Sequence, residues 1–67
     1  MRKYSITDTE TKILQLIALG LNNQTIAEKL YMSPHTVKAH IAKLLKTLNA
    51  TNRTHITYIA YKAKIIE

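Results

Sequence analysis

His35, Ala39, Ala42, Lys43 and Lys46 fall on one side of any helix that contains them, with Thr36 and Lys38 on its flanks. These residue types suit a polyanion with readable edges. Lysines neutralise phosphates or donate to guanine, and alanine and threonine methyls can touch thymine methyls. Alanines also let a helix backbone come close to its partner. No carboxylate interrupts the face. Other chemistries find no footing. There is no cysteine, so neither a disulfide nor a thiolate metal site can form. His35 and His40 would point about 140° apart on a helix of 3.6 residues per turn, and with His55 elsewhere no metal site is expected. No nucleophile stands at a useful spacing from a base, there are no paired carboxylates and there is no glycine-rich phosphate loop. The reading is therefore not an enzyme, with no cofactor and no small-molecule ligand.

The basic face needs a helix to carry it, and the sequence writes one. Ser33 is a good N-cap, and Pro34 follows at the first helical position, where its missing N–H is harmless. Val37, Ile41, Leu44, Leu45 and Leu48 then mark a buried stripe, giving a helix over 34–48 that Asn49 can close in a left-handed conformation. Before it lies a helix of about two turns, capped by Asn22 or Asn23, with Ile26, Ala27 and Leu30 facing inward. So short a helix must lean on its neighbours. A first helix opens with Thr7 and Glu10 in capping-box spacing. It continues through Ile13, Leu14, Leu16, Ile17 and Leu21, and Gly20 ends it. A fourth, over about 52–66, is capped by Asn52 or Thr51 and turns Ile56, Ile59, Ala60, Ala63 and Ile66 inward. Strand alternation is absent, so the fold class is all-α, one domain over 1–67.

The chain has 67 residues and a formal charge of +6. A chain this short buries only about 60% of its unfolded surface, so its core is marginal. Its acids are Asp8, Glu10, Glu28 and Glu67; between Lys29 and Ile66 there are only Lys29, Lys38, Lys43, Lys46, Arg53, Lys62 and Lys64. A one-sign field over half a domain points to a polyanion partner, although a basic surface can also serve solubility alone. No segment reads as a signal peptide or is apolar enough to span a bilayer. A soluble, cytoplasmic, nucleoid-associated protein is expected.

A short helix, a three-residue connection and a longer capped helix with a basic outer face is the layout of a helix-turn-helix, here over about 22–48. In that motif the second helix enters the DNA major groove, N-terminal half first. The chain further resembles the LuxR-type (GerE-type) DNA-binding domain of bacterial transcription regulators. The resemblance rests on Ile6, Thr7 and Glu10; on Leu16, Ile17, Ala18, Gly20 and Leu21; on Ile26, Ala27 and Leu30; on Ser33, Thr36, Val37, Lys38 and His40; and on Asn52, Arg53 and Thr54. It covers about residues 6–66.

The resemblance implies a four-helix domain that reads the major groove with its third helix and pairs through its fourth. By position, Lys38 is implied to contact DNA, Ala39 and Ala42 to reach bases, and Thr36 and the start of helix two around Asn23 to meet phosphates. Some residues depart from the family pattern. Ala42 replaces a longer side chain, leaving fewer hydrogen bonds for bases. Lys43 stands where asparagine is usual and adds phosphate affinity. Thr25 leaves half a capping box on helix two. His55 replaces an acid or amide and implies a weaker cap on helix four.

Tyr58, Tyr61 and Ile65 lie opposite the inner stripe of the fourth helix and are read as a dimer seam. A two-fold pair would meet half-sites about one helical turn apart. The expected function is a sequence-specific, double-stranded DNA-binding transcription regulator, free-standing and homodimeric, with RNA polymerase or another regulator as further partners. The alternative is a protein-interaction modulator that pairs with a larger regulator through the last helix. A sensory region ahead of the domain, as family members often carry, is the other reading of its organisation. A membrane-surface helix is disfavoured, because four capped helices bury their apolar faces in one another.

Overall fold

The computed structural model describes residues 5–66. Residues 1–4 and 67, the ends of the expected domain, lie outside the described residues. Four helices follow one another: α1 (Asp8–Ala18), α2 (Asn23–Leu30), α3 (Pro34–Thr47) and α4 (Arg53–Lys62). There is no strand among the described residues.

Each helix starts on a side-chain cap. Thr7 and Glu10 complete a capping box on α1: the Glu10 N–H donates to Thr7 Oγ1, and the Thr7 N–H donates to Glu10 Oε1, both at 3.1 Å. Asn22 rather than Asn23 caps α2, accepting from the Thr25 N–H at 2.9 Å. Ser33 caps α3 and Pro34 occupies its first turn. Asn52 caps α4, accepting from the His55 N–H at 2.8 Å. The His55 ring nitrogen Nδ1 reaches back past the N-cap and accepts from the Thr51 N–H at 3.0 Å, where the acid or amide of a capping box would accept from the N-cap N–H itself.

The helices also stop alike, each with a residue in the left-handed region: Gly20, Tyr31, Asn49 and Lys64. Behind each, one N–H reaches five residues back and closes the end, as Leu21 does on Leu16, Met32 on Ala27, Ala50 on Leu45 and Ile65 on Ala60. Only Gly20 and Asn49 carry a sequence signal for this geometry. Lys64 does not, yet it takes the left-handed conformation, and α4 stops at Lys62 rather than reaching residue 66. Ala63, expected on the inner face, is accordingly exposed.

The core is a single cluster. Ile13, Leu14 and Ile17 of α1 meet Ile26 and Ala27 of α2, Val37, Ile41 and Leu44 of α3, and Ile56 and Ala60 of α4, with Ile6, Leu48 and Ile66 sealing the ends. α3 touches all three other helices. Its inner side is thus fixed on every flank, and its opposite side is left to solvent.

Candidate nucleic-acid interface

The outer side of α3 is built from the cap outward. Ser33 Oγ accepts from the Thr36 N–H at 3.1 Å and lies 2.9 Å from Thr36 Oγ1, which fixes the first turn. His35, Thr36, Lys38, Ala39, Ala42, Lys43 and Lys46 are all exposed, while Val37, Ile41 and Leu44 are buried. The seven expected α3 residues therefore share one solvent-facing surface, with Ala39 and Ala42 between the cations. The face carries no acid.

One carboxylate nevertheless reaches its flank from beneath. Glu10 is 2% exposed, a buried charged residue among apolar ones. Its Oε1 is taken by the Thr7 cap. Its Oε2 faces α3 and lies 3.5 Å from Lys43 Nζ and 3.8 Å from His40 Nδ1. Burial pushes the Glu10 carboxyl up, but the Thr7 backbone N–H and the Lys43 ammonium outweigh it, and the group sits below the ordinary glutamate range. His40 is thus placed at the α1–α3 junction, half-buried beside a carboxylate. Sequence reasoning assigned Glu10 a local cap only. Its second oxygen depends on where α3 passes, which spacing along the chain does not give.

Asn23 is not grouped with the α3 face by side-chain contact. Its Oδ1 accepts from Arg53 Nη1, and Arg53 Nη2 donates to the Leu21 carbonyl at 2.7 Å. Arg53 therefore straps the start of α4 to the start of α2. Arg53 was legible as part of a motif, but its partners, 30 and 32 residues away in sequence, were not.

On α4, Tyr58 is 60% and Tyr61 48% exposed. Ile65 is not a third member of their line, because the helix has already ended. It is half-buried against the core, and with Ala18, Leu19, Tyr61 and Lys64 it lines a shallow groove between α1 and α4. Leu19, 73% exposed, extends this apolar surface onto α1. Among the described residues, no three His, Asp or Glu side chains converge as metal ligands, and no helix is long and apolar enough to cross a membrane.

A two-turn helix docked on a longer, capped helix whose outer side is cationic defines a helix-turn-helix nucleic-acid-binding domain. The profile of the bacterial regulatory proteins of the luxR family matches residues 4–60, and the chain belongs to that family. It is a DNA-binding domain of the transcription-regulator type, and the family is not a class of enzymes.

The chain is 50% identical over 42 residues to the nitrate/nitrite response regulator protein homolog of Haemophilus influenzae, a stretch covering 63% of this chain and 20% of that protein. It is 48% identical over 40 residues to the uncharacterized transcriptional regulatory protein YxjL of Bacillus subtilis, covering 60% of this chain and 18% of that one. The crystal structure of response regulator ChrA, of a heme-sensing two-component system, superposes with a TM-score of 0.90 at 32% identity, over 98% of this chain and 33% of ChrA. The chain thus spans about a fifth of the length of these curated relatives and a third of ChrA.

Proposed function

We propose that this domain binds double-stranded DNA sequence-specifically, with α3 in the major groove, and regulates transcription as a homodimer. The observation that carries the reading is the acid-free outer face of α3, held outward by a core that grips the helix on its other sides. In this arrangement Lys38, Ala39 and Ala42 meet base edges. Thr36, His35, Lys46 and the amide of Asn23 meet phosphates, and the capped start of α3 faces the backbone. Lys43 lies on the same face but is already paired with Glu10. Tyr58 and Tyr61, with the groove floored by Ile65, form the self-complementary seam. The site of action is the nucleoid in the cytoplasm, with RNA polymerase as a further partner. The domain works alone or as the DNA-reading part of a longer regulator.

Selection of bound sequences from random duplex DNA tests the reading directly. A symmetric consensus with half-sites about one helical turn apart is expected. Lys38→Glu is expected to abolish enrichment while leaving the helical circular-dichroism spectrum and melting midpoint in place. Recovery of no consensus, or a Lys38→Glu domain that selects the same sites, would overturn it.

A further inference from the structure

The two oxygens of Glu10 do different jobs. Oε1 caps α1, and Oε2 holds Lys43, with His40 beside it. The carboxylate is buried whereas the Lys43 side chain is 64% exposed, so the pair is closed on the glutamate side and open to solvent on the lysine side. His40 and Lys43 are three residues apart on α3, on the flank that faces α1. Lys38 lies on the other flank, and Lys46, Ala39 and Ala42 lie on the crest. For Lys43 to neutralise a phosphate it must leave Glu10, or share its charge with it.

We propose that Glu10 is a positioning residue: by holding Lys43 it withdraws one cation of α3 from the DNA phosphates. The inference rests on the DNA-binding reading above and deepens it. Phosphate neutralisation is the sequence-independent part of binding, driven by release of counterions. Base contact by Lys38, Ala39 and Ala42 does not depend on Lys43. Glu10 therefore lowers the electrostatic, sequence-independent part of the affinity, for target and arbitrary duplex alike. Substituting Glu10 by glutamine separates the two roles. Glutamine still accepts from the Thr7 N–H in the capping box, but it no longer carries the charge that holds Lys43.

The experiment measures binding of a mixed-sequence 20-base-pair duplex by fluorescence anisotropy across a salt series. It uses the wild type, Glu10→Gln, Lys43→Gln and the double variant, with folding of each checked by circular dichroism. Each phosphate neutralised adds about 0.9 to the slope of log K against log salt. Glu10→Gln is expected to steepen the slope by about 0.9, which amounts to about a three- to fourfold larger loss of affinity between 50 and 200 mM salt. Lys43→Gln alone is expected to leave the wild-type slope in place, and the double variant to return to it.

The proposal is overturned if Lys43→Gln alone flattens the slope by about one phosphate, because Lys43 then already serves DNA. Lys43→Gln leaves the Glu10 carboxylate without its cation. Where that variant does not fold, Glu10→Gln decides the matter, an unchanged slope there overturning the proposal; where Glu10→Gln does not fold, Lys43→Gln decides it. The proposal is also overturned if Glu10→Gln steepens the slope equally with and without Lys43, because the effect is then general charge. Wild-type protein without measurable, salt-dependent binding overturns the DNA-binding reading along with this one. Normal wild-type binding that Lys38→Gln weakens, together with a flat Glu10–Lys43 cycle, overturns the present inference alone.

Discussion

Replacing Tyr31 with glycine is expected to stabilise this domain, although it deletes an aromatic side chain. Tyr31 ends α2 at φ 57 and ψ 45, in the left-handed region. For an L-residue other than asparagine or aspartate that conformation costs about 1–2 kcal/mol. The side chain is 97% exposed, so truncation forfeits almost no burial. Against the relieved strain stands the greater freedom of glycine in the unfolded chain, about 0.4–1 kcal/mol. The difference lies between about 0 and 1.6 kcal/mol, centred on about 0.8. In a domain of this size the central value raises the melting midpoint by about 3–6 °C.

The same geometry at two other ends supplies internal controls. Lys64 has φ 60 but lends its stem to the α1–α4 groove, so Lys64→Gly gains less. Asn49 has φ 54, and asparagine tolerates the region, so Asn49→Gly gains least. Thermal melts followed by circular dichroism at one ionic strength should rank the variants Tyr31, Lys64, Asn49. A Tyr31→Gly midpoint below wild type, or an Asn49→Gly gain above that of Tyr31→Gly, would refute the reasoning.

Glu10 predicts an acid limit to stability. Its pKa is lowered by folding, so its contribution is complete above the ordinary glutamate value of about 4.3 and is lost as pH falls through the lower folded value. Wild type should melt above Glu10→Gln near neutrality, and the gap should close on acidification below about pH 5; a gap that widens there contradicts it. Arg53→Met should cost about 1–3 kcal/mol in urea unfolding, because it removes charged donors from Asn23 Oδ1 and the Leu21 carbonyl. Arg53→Lys should recover little, since a single ammonium cannot reproduce the fork. Tyr58→Ser with Tyr61→Ser should leave sedimentation monomeric at concentrations where wild type pairs, at unchanged helicity; continued pairing would move the seam elsewhere.

What could be read from the chain beforehand divides by range. Signals acting over three or four residues were legible: Thr7 with Glu10, Ser33 with Pro34, and Asn52. So was the separation of Val37, Ile41 and Leu44 from Lys38, Ala42 and Lys46, because helical period alone decides it. The residues that surprised depend on contacts across the fold. Oε2 of Glu10 finds Lys43 only once α1 lies against α3, and Arg53 finds Asn23 only once α4 closes over α2. The end of α4 was misplaced for a third reason. Lys64 takes a glycine-like conformation that no local residue preference announces, and this moved Ala63 to the surface and Ile65 into the groove.

The acid-free appearance of α3 follows from where the nearest acid is kept, not from a lack of acids nearby. Had Glu10 been placed on the surface, the same carboxylate would repel phosphate within a Debye length, about 8 Å at physiological salt. Held beneath the face, it is offset instead by Lys43 at 3.5 Å. The arrangement also ties the register of α1 to that of α3. Any shift of α3 along the core that moved Lys43 away would leave the buried Glu10 carboxylate without its cation and would cost stability. The residue that completes the first cap of the fold therefore also ties α1 to the helix proposed to read DNA.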